Sequence, residues 1–69
     1  MTIWGAITMA KAGVAVKRVD WADDKYLAYE QGAGTTRAVA VIVEAGVMRV
    51  VQNDDIQAAD VRADDWRAA

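Results

Sequence analysis

The segment from Ala38 to Val43 constrains the fold most, because its six apolar residues show no alternation with polar ones. Valine and isoleucine dominate the segment, and β-branched residues favour strands. A strand with two apolar faces is buried on both sides. The chain has 69 residues and one segment with a clear helical pattern, so its own elements cannot cover both faces of a sheet. We therefore expect a second subunit to cover one face.

The composition supports self-association. A domain of this size is marginally stable unless a disulfide, a metal or another subunit supports it. The chain has no Cys and no His, and 55% of its residues are hydrophobic. A disulfide and the usual zinc sites are therefore excluded. The composition therefore predicts that the chain associates with other copies of itself.

Residue patterns predict an α+β fold in a single domain, residues 1–69. One N-terminal helix packs on a small antiparallel sheet, and a short helical turn lies near the C-terminus. We expect the helix at residues 3–12, with Thr2 as its N-cap and Gly13 as its C-terminal stop. Ile3 and Ile7 should face the core, while Trp4 lies off the apolar stripe.

Strands are predicted at residues 14–19, 25–31, 37–44, 47–51 and 65–67. A glycine-containing hairpin loop at residues 31–36 should join the second and third strands, and Ala45-Gly46 should form a tight turn. Residues 57–62 favour a short helix with Ala58 and Val61 facing inward.

Charge and composition exclude several classes of function. The formal net charge is −2, and the basic residues are scattered, which argues against a nucleic-acid polymer as partner. The apolar segments are too short to span a membrane, so we expect a cytoplasmic protein. The acidic residues match no calcium-loop pattern, and we predict no metal and no cofactor. With no Ser, Cys or His, the sequence offers no nucleophile and base pair, so we predict that the protein is not an enzyme.

Two residues stand out as candidates for binding. Arg18 should share a strand face with Val16, near the edge of the core, where a guanidinium needs a partner. That partner is either Asp60 or Asp65 in an internal ion pair, which the residues favour, or a ligand phosphate or ribose. Trp21 lies in a polar turn, where its ring either covers the core or stacks on a planar ligand.

The third tryptophan, Trp66, is read as part of the core. It follows two aspartates near the C-terminus. We expect its indole N–H to donate to a backbone carbonyl, because a buried indole needs such a partner.

Two ends of the chain together resemble the second class of the Thoeris anti-defence sponge family of bacteriophages. The first end is an apolar helix, a glycine and a strand that runs into Arg-x-x-Trp, and the second is a closing Asp-x-x-Ala-x-Asp-Trp. The residues that carry the resemblance are Ile3, Ala6, Ile7, Gly13, Val16, Arg18 and Trp21 at the start, the strand Tyr26 to Tyr29, and Asp60, Val61, Ala63, Asp65 and Trp66 at the end.

The resemblance implies a function and an assembly. Members of this family bind a cyclic ADP-ribose-type signal of the defence system, and some hold cyclic oligonucleotides, without cleaving them. They act in the cytoplasm of the infected bacterium and are oligomeric, with pockets at subunit contacts. The resemblance thus implies that the partners of this chain are a small cyclic nucleotide and other copies of itself, in a homodimer or a homotetramer.

The resemblance also implies a binding site. Trp21 would stack on adenine, and Arg18 would shape or charge the pocket. Relatives carry a further Trp close to the position of Asp54, and Trp4 of a neighbouring subunit is our candidate to replace its ring. The complete set of candidate ligand-binding residues is Arg18, Trp21, Tyr26, Trp4 and Asp60.

An alternative function remains open at this point. The same fold could serve as a protein-interaction or inhibitor module that has no nucleotide ligand. Such a module would expose Trp4 and the Ala38–Val43 segment to another protein.

Overall fold

The structure is a computed structural model that describes residues 1–31 and 37–69; most of the predicted hairpin loop falls outside these ranges. The elements in chain order are α1 (Ile3–Lys11), β1 (Val16–Arg18), β2 (Lys25–Gln31), β3 (Ala38–Glu44), β4 (Val47–Val50), α2 (Ala58–Arg62) and β5 (Trp66–Ala68). The strands form one antiparallel sheet in the order β4-β3-β2-β1-β5. The predicted α+β class, with an N-terminal helix and an antiparallel sheet, is confirmed.

Both ends of α1 follow from local sequence. The Thr2 side chain accepts a hydrogen bond from the first turn of the helix, and Gly13 adopts a φ of 97°. The Val14 N–H donates to the Met9 carbonyl at 3.0 Å, as in a Schellman motif. Because Val14 takes part in the end of the helix, β1 begins at Val16 rather than at residue 14 as predicted.

The hydrophobic core lies between α1 and one face of the sheet. The helix packs over β1, β2 and β5. Val51 and Ile56, which follow β4, pack against the same core. The buried core residues are Ile3, Ala6, Ala10, Val16, Leu27, Ile42 and Trp66.

The opposite face of the sheet carries a second apolar surface, over which no helix of the described chain lies. Val41 and Val43 are 3% and 8% exposed because neighbouring strands shield them, whereas Met48 and Val50 are 53% and 54% exposed. We call this surface the open face. Strand alternation and register assign to it Tyr26, Ala28, Val39, Val41, Val43, Met48 and Val50.

The short helix α2 orients its residues differently from the prediction. Ala58 and Val61 are exposed, so the expectation that they face inward was wrong; Asp60 is the buried residue. One helical turn presents too little apolar surface to determine its own orientation, and the hydrogen bonds of Asp60 determine it instead. Neither helix of the described chain is long and apolar enough to cross a membrane.

The β3–β4 hairpin turns through two residues, as predicted. Ala45 and Gly46 have φ values of 52° and 80°, and the flanking Glu44 and Val47 are paired across the strands. Two positive φ angles in a two-residue loop are typical of a type I′ turn, which suits glycine and asparagine better than alanine.

Candidate functional site

The site begins at Arg18, the last residue of β1, which lies beside Trp66 of β5. Its Nε and Nη2 donate to the two carboxylate oxygens of Asp65 at 2.9 and 3.2 Å, and its Nη1 donates to Asp60 at 2.8 Å. The side chain of Arg18 is 18% exposed. The ion pair favoured by the residues is therefore present, and it involves both aspartates rather than one of them.

This arrangement favours the ionised forms of Arg18 and Asp65. Hydrogen bonds from Arg18 lower the pKa of Asp65 below its ordinary value of 3.8. Hydrogen bonds to Asp65 and then to Asp60 raise the pKa of Arg18. One guanidinium thus faces two carboxylates, and the three side chains together carry a net charge of −1.

Asp60 connects α2 to this ion pair. Its Oδ1 accepts from Arg18 and its Oδ2 from the Gln57 N–H at 2.8 Å. With Gln57 it forms the capping box of α2, which satisfies N–H groups at the start of a helix. Its backbone carbonyl accepts the Trp66 indole N–H at 3.0 Å, as predicted for Trp66. Both carboxylate oxygens have partners within the chain, so Asp60 orients the groups around it.

Trp21 lies in the turn after β1, where its N–H donates to the Arg18 carbonyl at 3.1 Å. Its half-buried ring packs against the core and meets Trp66 in a T-shaped arrangement, with ring centroids 5.1 Å apart. Aromatic pairs prefer this geometry. The ring therefore covers part of the core, the first of the two roles considered for it, and because the residue is only half-buried, part of its surface stays exposed. The Lys25 ammonium lies over the same ring, 4.6 Å from its centroid.

The remaining two candidates lie elsewhere. Tyr26 is paired with Val43 on the open face, on the other side of the sheet from Arg18. Trp4 projects from α1 with 71% of its surface exposed and makes no ring contact with another aromatic side chain of the described chain. One chain thus brings together Arg18, Asp60 and Trp21 but not Tyr26 and Trp4.

The sequence pattern did not single out two lysines at the turn that holds Trp21. Lys17 is 8% exposed; its ammonium donates to the Ala22 carbonyl at 3.0 Å and lies 3.8 Å from Asp23. Lys25 begins β2 directly after the turn that holds Trp21. Lys25 follows Trp21 by four residues in the sequence, and this short spacing was the available signal. Only the path of the turn places the ammonium over the ring.

The side chains at this surface can contact a ligand. Within residues 1–31 and 37–69 no cavity is enclosed, and no group of acidic side chains converges as a metal site would require. The surface offers the Trp21 ring with the Lys25 ammonium over it, together with the partly exposed guanidinium of Arg18. These groups recognise planar and anionic parts of a ligand.

No protein-family model, curated protein or solved structure matched this chain in the comparisons.

Proposed function

We propose that this protein is a phage anti-defence sponge that sequesters a cyclic ADP-ribose-type or cyclic oligonucleotide immune signal in the host cytoplasm without cleaving it. One observation carries the proposal. The two segments that resemble the sponge family lie in direct contact, although Arg18 is 42 and 47 residues from its partners Asp60 and Asp65. The same contact places Trp21 against Trp66.

Trp21 and Arg18 would have different tasks in such a site. A base stacked on an aromatic ring contributes about 1–3 kcal/mol, and Trp21 offers that ring. Arg18 uses three of its five N–H groups on the two aspartates, which leaves two for a ribose or phosphate oxygen. Because its charge is already matched by Asp60 and Asp65, Arg18 would orient the ligand more than neutralise it.

The remainder of the pocket would come from other subunits, since the described residues enclose none. The open face and the Trp21 surface lie on opposite sides of the sheet, so one subunit contact cannot use both. Two different contacts related by two-fold axes generate a homotetramer. We propose that the open face, with Tyr26, forms one contact. The other contact would lie beside Trp21, where the exposed ring of Trp4 from a neighbouring subunit would complete the site.

A thermal-shift panel of cyclic ADP-ribose isomers and cyclic di- and trinucleotides tests the proposal. A ligand at a hundred times its Kd that binds only the folded protein stabilises it by about 2.7 kcal/mol, and chromatography after denaturation should return it intact. Trp21→Leu should abolish the shift if the variant remains folded. A wild-type protein that melts cooperatively and responds to no ligand would refute the sponge.

Trp4→Ala tests the contribution of the neighbouring subunit separately. Trp4 is 71% exposed, so the variant should fold normally while losing affinity for the ligand found in the panel. Unchanged affinity would rule out Trp4 as the second stacking ring.

A protein-interaction or inhibitor module is the second candidate function, and the open face is the observation that favours it. The adjoining edge strand β4 is exposed along its whole length, and an exposed edge can accept a strand from another protein. A protein that is monomeric in solution and shows no thermal shift with any nucleotide of the panel would favour this function. Its open face would then be uncovered and available to another protein.

A further inference from the structure

Lys25 differs from Lys17 and Arg18 in that its ammonium has no hydrogen bond to an oxygen atom of residues 1–31 and 37–69. Lys17 donates to a backbone carbonyl, and Arg18 is held by two aspartates. No carboxylate of the described chain lies within ion-pair distance of the Lys25 ammonium. Its ammonium lies 4.6 Å from the centroid of the Trp21 ring, and its charge contributes, after Arg49 and the Gln52 N–H, to lowering the pKa of Asp55. Three N–H donors are therefore available to an anion.

The ammonium also occupies the ring surface that a ligand would need. The Trp21 ring packs against the core and against Trp66, so the side under Lys25 is the one open to a ligand. A stacked base lies in van der Waals contact with the ring, at about 3.5–4 Å. A base and the ammonium cannot share that space, so stacking has to displace Lys25.

Displacement has a different consequence for a charged and for a neutral ligand. A nucleotide offers the displaced ammonium a phosphate oxygen, and charge-assisted hydrogen bonds of this kind are strong. A nucleoside has no phosphate, so the cation–π contact is lost without replacement. The flexible four-carbon stem of lysine allows the ammonium to move from the ring to an anion beside it.

We propose that Lys25 is a specificity-determining residue that makes the Trp21 surface selective for phosphate-bearing nucleotides over neutral nucleosides. The Lys25 ammonium opposes the stacking of a neutral nucleoside on Trp21, whereas it binds the phosphate group of a nucleotide. This inference rests on the proposed function, since it concerns the same nucleotide site.

The test compares wild type with Lys25→Met, which keeps most of the side-chain length and removes the charge. Isothermal titration calorimetry would use cyclic ADP-ribose and cyclic di-AMP as phosphate-bearing probes and adenosine as the phosphate-free probe. We expect Lys25→Met to weaken the binding of the nucleotide about tenfold or more, because the variant loses a hydrogen bond to a charged group. Adenosine should bind the variant as well as or better than it binds wild type.

Two further variants control for structural effects. Lys25→Arg keeps the charge and should restore most of the nucleotide affinity. Lys11→Met removes an ammonium that lies 5.9 Å from the Tyr29 ring centroid and should leave both affinities unchanged. Thermal melts of each variant would show that it is folded.

The outcomes separate the two proposals. Suppose that wild type binds a nucleotide and that Lys25→Met changes the affinity for neither the nucleotide nor adenosine, or lowers both affinities equally. The role of Lys25 is then refuted, while the sponge proposal stands. If wild type binds neither nucleotide and the full thermal-shift panel is also silent, the sponge fails and the role of Lys25 fails with it.

Discussion

Replacing Met48 and Val50 by lysine is expected to separate the subunits that meet through the open face, leaving dimers in place of the proposed tetramer, without unfolding the protomers. Both side chains lie on the open face, where they are 53% and 54% exposed in a single chain. A lysine at either position reaches water in the monomer, so the protomer should lose little stability. In the proposed assembly the same lysines would be buried in an apolar contact without a partner, which is unfavourable.

The size of the effect follows from the exposed fractions. Fully burying a side chain of this kind contributes about 1.5–3 kcal/mol, so covering the exposed half contributes about 1 kcal/mol. Two residues on each of two subunits contribute about 4 kcal/mol in total. Since 1.4 kcal/mol corresponds to a tenfold change, the dissociation constant should rise about a thousandfold.

Sedimentation velocity over a range of protein concentrations measures this change. A control with Val47→Lys and Val61→Lys adds the same charge at residues that are 65% and 46% exposed. Val47 belongs to the same strand as Val50, but its pairing with Glu44 places it on the side of α1. The control should assemble like wild type, provided that both variants melt close to the wild-type temperature.

Either of two results contradicts the hypothesis that the open face is a subunit contact. A wild-type protein that sediments as a monomer at all concentrations would show that the open face is not a subunit contact. A test variant that forms the same assembly as tightly as wild type would show that the open face contributes no subunit contact.

Three further predictions concern the protomer. Ile42→Ala should lower the free energy of unfolding by about 2–5 kcal/mol in a urea titration, because Ile42 is fully buried and its truncation leaves a cavity; a loss well under this range would show that the core collapses around the site. Ala45→Asn should raise the free energy of unfolding by about 1 kcal/mol, because asparagine tolerates the positive φ better; an unchanged urea midpoint would contradict this. The hydrogen bonds from Arg18 lower the pKa of Asp65 in the folded protein below 3.8. The stabilisation of the folded state by this ion pair should therefore be complete above about pH 4 and be lost as the pH falls through the lowered pKa. Asp65→Asn should remove that part of the pH dependence of stability. If the melting temperature of the variant falls toward low pH as steeply as that of wild type, the ion pair does not contribute to the acid sensitivity.

Local signals were sufficient for much of the fold. Thr2 and Gly13 mark the ends of α1 because a cap acts within one helical turn. The uninterrupted apolar segment identified β3, and Leu27 and Tyr29 share the core-facing side of β2 as strand alternation predicts. Where local signals were weak, the prediction failed: α2 turns Asp60 inward because an ion pair outweighs the small apolar surface of Ala58 and Val61.

The candidate site was only partly readable from the sequence. The sequence by itself established a Cys-free, His-free α+β chain with more apolar surface than one helix can cover, and it named Arg18, Trp21 and two possible aspartate partners. Only the tertiary structure decided that both aspartates bind Arg18, that Lys25 covers Trp21, and that Tyr26 lies on the opposite face. The physical reason is that periodicity and caps act between residues close in the chain, whereas the contacts of Arg18 depend on β5 pairing with β1 across the sheet. The face of Tyr26 depends on the register of β1 with β2, and the contact of Lys25 with Trp21 depends on the path of the turn between them.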